Sequence, residues 1–140
     1  MWTIDIESHA IEFGKPLLPE PVSCALLSPE DEATFYAWGH PSGNTCTKEE
    51  FGEVLKSVWG GELLGHNSCT FDIPILQHYF GLPQRDPLLN HDTLFLAFLH
   101  SPHARSLSLK ERGVRQLRKR QVKPRSGFLI ITKYLLLLRQ

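Results

Sequence analysis

Cysteine is scarce in this 140-residue chain, methionine occurs once, and net charge is nil, with Lys+Arg 15 against Asp+Glu 15. Cys24, Cys46 and Cys69 stand 22 and 23 residues apart. That spacing excludes the close thiolate pairs of structural zinc sites. An odd, sparse set also argues against a disulfide framework and for reduced thiols. Long apolar runs are missing as well. Phe128 to Leu138 is strongly apolar but short and broken by Lys133, below the roughly 20 residues of a membrane-spanning helix. Asp5 and Glu7 leave no room at the start for a secretory apolar region. Internal repeats are not found. These absences predict a soluble, cytoplasmic protein with no membrane association.

What is present suits one compact domain: 41% hydrophobic and 21% charged residues, enough chain for a sizeable core without a disulfide or metal staple. Fibrous and wholly disordered classes are excluded. The zero net charge conceals an asymmetry. Residues 1 to 104 hold 4 Lys+Arg and 14 Asp+Glu, a net of −10, whereas residues 105 to 140 hold 11 against 1, a net of +10.

Trp2 to Ile6 has the composition of a short strand, and Pro16, Pro19 and Pro21 make the following connection non-helical. Val22 to Leu27 and Thr34 to Trp38, separated by the turn-rich Ser28 to Glu32, predict two more strands forming a hairpin. Thr47 and Glu50 have capping-box spacing ahead of Phe51, Val54, Leu55 and Val58, so a helix is predicted there, stopped by Gly60 and Gly61. Glu62 to Asn67 reads as a brief strand ending in a polar turn, and Asp72 to Phe80 as a second helix. Asp92 to Leu99 reads as a third, capped by Asp92 and ended before Pro102. Ser108 and Glu111 repeat the capping-box spacing. Three leading strands followed by alternating helices and short strands predict an α/β sheet with an antiparallel start.

Asp5-x-Glu7 is the most informative pair. Residues i and i+2 of a strand project from one face, so two carboxylates stand side by side and repel unless a cation lies between them. Hard oxygen ligands of this kind suit Mg²⁺ or Mn²⁺ rather than zinc. Two solvent-facing acids on an edge strand are the plainer reading of the pair alone. Asp72, at the head of a predicted helix after the polar turn from His66 to Thr70, is either a third oxygen ligand or a simple helix N-cap. Asn67 and Phe71 read equally as a turn former and a core aromatic. His66, His78, His91, His100 and His103 lack tight ligand spacing and read as surface or turn residues.

Three ordered segments now stand together: Trp2 to Glu7 with Asp5 and Glu7; Gly65, His66 and Asn67 with Phe71 and Asp72; then His91-Asp92-Thr93 before an apolar helix and Ser106 to Lys110. Over about residues 1 to 111 the chain resembles the DEDD, or DnaQ-like, 3′-5′ exonuclease superfamily. It is most similar to the exonuclease domains of bacterial and phage family A DNA polymerases. The resemblance implies a ribonuclease H-like mixed α/β sheet, incomplete at the C-terminus, and two-metal phosphodiester hydrolysis at the 3′ end of DNA. By the same resemblance two Mg²⁺ or Mn²⁺ ions are expected on Asp5, Glu7 and Asp72. Asp5 would bridge both ions, Glu7 would hold the one carrying the attacking water, and Asp72 would complete the other. Asn67, Phe71, Ile6 and His66 would contact a single-stranded 3′ end, the aromatic by stacking tolerant of sequence.

The chain departs from the superfamily in its third motif, which supplies a fourth acid shortly after a water-positioning His or Tyr. Glu111 is the only acid after Asp92, and Tyr134 has none behind it. Turnover is therefore expected to be impaired, with a catalytically inactive nucleic-acid-binding fragment as the alternative. From residue 112 the composition turns basic and then apolar. That stretch reads either as a phosphate-binding arm or as an out-of-frame end, since it lacks an amphipathic period. The expected division is an exonuclease-like domain over 1–111 and a tail over 112–140.

Overall fold

The computed structural model describes residues 1–11, 14, 18–108 and 111. The expected boundary at residue 111, the basic and apolar tail, and the helix start at Ser108 extend outside these residues. The chain divides into two units, Met1–Asp92 and Thr93–Gln140.

The first unit is built on a five-stranded mixed sheet. Strand β1 (Trp2–Ser8), β2 (Pro21–Leu27) and β3 (Ala33–Ala37) form the predicted antiparallel meander. Helix α1 (Lys48–Trp59) then leads to β4 (Leu63–Gly65), which pairs parallel with β1, and α2 (Asp72–Phe80) leads on toward β5 (Asn90–Asp92), parallel with β4. The order β3-β2-β1-β4-β5 puts β1 at the centre. Asp5 and Glu7 therefore stand on the central strand and not on an edge.

Alternation along β1 explains its two faces. Ile4 and Ile6 point into the core opposite Leu26 and Cys24, while Asp5 and Glu7 take the other face. The core is completed by Phe51 and Leu55 of α1, Leu63 of β4, and Ile75 and Leu76 of α2, all essentially without solvent contact. Burying one such side chain stabilises the fold by about 1.5–3 kcal/mol. Trp38 lies flat on Phe51, with ring centroids 4.5 Å apart.

The α1 capping box forms as predicted: the Thr47 amide donates to the Glu50 carboxylate at 2.7 Å, and the Glu50 amide donates to Thr47 Oγ1 at 3.1 Å. Gly81, left-handed at φ 60°, ends α2. The short strand β5 and the 3₁₀ turn before it (Pro87–Leu89) were not expected from sequence. Buried Arg85 holds this corner: its guanidinium donates to Asn90 Oδ1 at 2.8 Å and to the Gly61 carbonyl at 2.6 Å, and it lies over the Trp59 ring. In the second unit, helix α3 (Thr93–His100) carries exposed Phe95, Leu96, Phe98 and Leu99. Among the described residues no helix is long and apolar enough to cross a membrane. The three cysteines are free thiols.

Candidate metal and nucleic-acid site

The site lies where β1 and β4 end and α2 begins. Gly65 closes β4, and the chain turns at once through His66 to Thr70. A Cβ on Gly65 would lie 2.4 Å from Ser68 Cβ, so only glycine lets the turn fold back this closely. Asn67 takes the left-handed conformation, φ 62°, which Asn tolerates better than most residues. Its carbonyl accepts the Thr70 and Phe71 amides, and the Ser68 carbonyl accepts the Ile73 amide at 2.9 Å. This turn launches α2 with Asp72 as its first residue.

Asp72 is not the cap of its own helix. Phe71 occupies the N-cap position and makes no side-chain capping bond. The Asp72 carboxylate, 4% exposed, instead accepts the Ile6 amide at 3.0 Å. Ile6 lies between Asp5 and Glu7, so the first and second acidic segments, 66 residues apart in sequence, meet there. Burial pushes the Asp72 carboxyl up to about 7, against the hydrogen bond from Ile6 and with the charge of Asp5 adding to the rise. Asp5 is raised to about 6, by burial first and by Glu7 second. Two neighbouring carboxyls thus hold protons well above the ordinary carboxylate range. Glu7 is exposed on the same face as Asp5. Cys24, on the core side of the neighbouring strand, is fully buried, and its thiol is pushed up by burial and then by the charges of Asp72 and Asp5.

The expected substrate residues have varied surroundings. Phe71 is half-buried and packs against the core cluster, as its plainer reading held. Asn67 shapes the turn, and its Oδ1 accepts the Thr70 hydroxyl. His66 is half-buried, and Ile6 is buried, presenting its amide to Asp72. Among the described residues no three His, Cys, Asp or Glu side chains converge closely enough to hold a metal ion as they stand.

Asp92 was expected as the cap of the third helix. It directly precedes α3 as the last residue of β5, and its carboxylate also serves the turn: Oδ1 accepts the Asn67 amide at 2.7 Å and Oδ2 the Cys69 amide at 3.1 Å. Sequence reasoning had no signal for this contact beyond an acid in a short polar segment. His91, also on β5, lies 3.5 Å from Glu62.

The sheet order, the parallel return to β1 and the flanking helices define a ribonuclease H-like α/β fold. The chain is similar in structure to the family B DNA polymerase from the hyperthermophilic archaeon Pyrobaculum calidifontis, with a TM-score of 0.57 and 19% identity over 82% of this chain and 18% of that one. The chain thus spans less than a fifth of the polymerase's length. No protein-family model matches the chain, and no curated protein does.

Proposed function

We propose that the chain is a divalent-metal-dependent nuclease domain of the DEDD type, acting at the 3′ end of single-stranded DNA. The observation that carries this reading is the bond from Ile6 to Asp72, which ties the third acid to the backbone between Asp5 and Glu7. Carboxyl oxygens are hard donors suited to hard cations, and burial raises Asp5 and Asp72 toward neutral pH in the absence of a cation. Asp5, Glu7 and Asp72 would hold two Mg²⁺ or Mn²⁺ ions, which supply charge stabilisation at the phosphoryl oxygens and an acidified water. The protein's own part is to surrender the protons on Asp5 and Asp72 on loading. It also keeps Asp72 fixed to β1, and the turn with His66, Asn67 and Phe71 would meet the terminal nucleotide, whereas Ile6 points into the core and serves through its amide on Asp72.

The fold likeness to a DNA polymerase supports a nucleic-acid substrate. The narrower likeness to family A exonuclease domains rests on the acidic motifs and their order. The motifs matched in this chain supply three acids where the superfamily has four, so an attacking water would be held less well; an error of about 1 Å can cost about 10²-fold in rate, and slow turnover is the expected outcome.

A second reading, a nucleic-acid-binding fragment without catalysis, is favoured by the 11 Lys+Arg against 1 acid in residues 105 to 140. It predicts DNA binding that falls steeply with salt and no metal-dependent product. Calorimetric titration with Mn²⁺ tests the first reading. Wild type should bind, and Asp5→Asn and Asp72→Asn should each bind at least about tenfold more weakly. A folded wild type that takes up no Mn²⁺ overturns it.

A further inference from the structure

Asp92 is 6% exposed, and its carboxylate accepts two backbone amides from one turn, Asn67 at 2.7 Å and Cys69 at 3.1 Å. Both amides come from the turn in which Asn67 takes the left-handed conformation, and both meet the one Asp92 carboxyl group. The turn is then bonded forward into α2. The Asn67 carbonyl takes the Phe71 amide, the Ser68 carbonyl takes the Ile73 amide, and Asp72 sits between those residues and reaches Ile6. Hydrogen bonds, linked by short stretches of chain at Asn67 to Cys69 and Phe71 to Ile73, thus connect Asp92 with the β1 backbone between Asp5 and Glu7. The register of β5 on β4, with Asp92 opposite Gly65, sets where this connection begins.

We infer that Asp92 is a positioning residue for the acidic site. It fixes the 66–70 turn, and through it the first residue of α2, so that Asp72 stays docked on Ile6. This inference rests on the reading of Asp5 and Asp72 as metal ligands for its functional meaning, but not for its structural content. Asp92 acts on the ligands from behind, as outer partners of metal ligands do, where substitution costs about 10–100-fold in affinity or activity.

The test is Asp92→Asn in the full chain. Asn has the same shape, but it replaces one acceptor with an NH₂ group facing a backbone N–H. Hydrogen exchange read by NMR should show the Ile6 amide exchanging at least about tenfold faster, while amides in the middle of α1 keep their protection. Mn²⁺ affinity should fall about 10-fold or more. Asp92→Glu keeps both acceptor oxygens and should recover part of both effects, which a general loss of packing would not allow. It also stands in, with a smaller effect in the same direction, if the Asn variant does not fold. Unchanged Ile6 exchange in the variants overturns the inference. Absence of Mn²⁺ binding by wild type overturns only the metal reading, because Ile6 exchange still decides the role of Asp92.

Discussion

The carboxylate of Asp72 accepts the backbone amide of Ile6 across 3.0 Å, joining the head of α2 to the middle strand of the sheet. This contact ties the second acidic segment to the first, and burial raises the carboxyl that makes it toward neutral pH. Asp72 is raised to about 7 and Asp5 to about 6, from an ordinary 3.8. Both folded-state values lie above the unfolded ones. Their contribution to stability is therefore complete below about pH 4 and is lost as pH rises through 6 to 7. In EDTA, urea unfolding should show wild type losing stability from pH 5 to pH 8. Asp72→Asn, whose amide oxygen still accepts from Ile6, should flatten that slope and be the more stable protein at pH 8, by on the order of a few kcal/mol. A steeper slope in the variant would contradict the assignment.

On the proposed reading of Asp5 and Asp72 as metal ligands, the same protons would oppose metal uptake. Cations compete with them, so Mn²⁺ affinity should rise by roughly tenfold or more per pH unit up to about pH 7 and then level off. Calorimetry in two buffers of different ionisation enthalpy should also detect proton release at pH 6. A pH-independent affinity would place the cation elsewhere.

Much of this was legible in the sequence, for identifiable reasons. The meander shows in three apolar runs, α1 in its capping box, and α2 in its apolar spacing before Gly81. The pairing of Asp5 with Glu7 follows from strand alternation alone. Strand β5 was not legible: Asn90, His91 and Asp92 have no strand propensity, and only pairing with Leu63, Leu64 and Gly65 makes them a strand. The role of Asp92 escaped for a related reason, since its partners are amides 23 and 25 residues away. Asp72 looked like a cap because an acid at a helix start has the same local sequence whether it caps its own helix or reaches a neighbouring strand.

Gly65 has no room for a side chain. Gly65→Ala drives a methyl group to 2.4 Å from Ser68 Cβ and 3.3 Å from the Ile4 carbonyl. The turn must move, at a cost of about 1–3 kcal/mol. Thermal unfolding should show the loss, and Mn²⁺ binding should weaken with it. Gly60→Ala, where a Cβ meets nothing within 4 Å, is the control and should leave Mn²⁺ binding unchanged.

Arg85 should prove structural. Replacing it with Ala strands the Gly61 and Leu89 carbonyls and Asn90 Oδ1, a loss of about 2–4 kcal/mol. Arg85→Lys should recover only part, because an ammonium group cannot reproduce the planar fork. Since this corner sets the entry to β5, amide exchange in residues 90 to 92 should accelerate before that of β2. Equal stability of Arg85→Ala and wild type would rule the clamp out.

The most direct test follows a 3′-labelled and a 5′-labelled single-stranded DNA under single-turnover conditions, with protein in excess and Mn²⁺ present. Wild type should release nucleotides slowly from the 3′ end, and Asp5→Asn and Asp72→Asn should abolish release while remaining folded. No release from folded wild type, or release that survives both substitutions, would contradict a nuclease centred on Asp5 and Asp72.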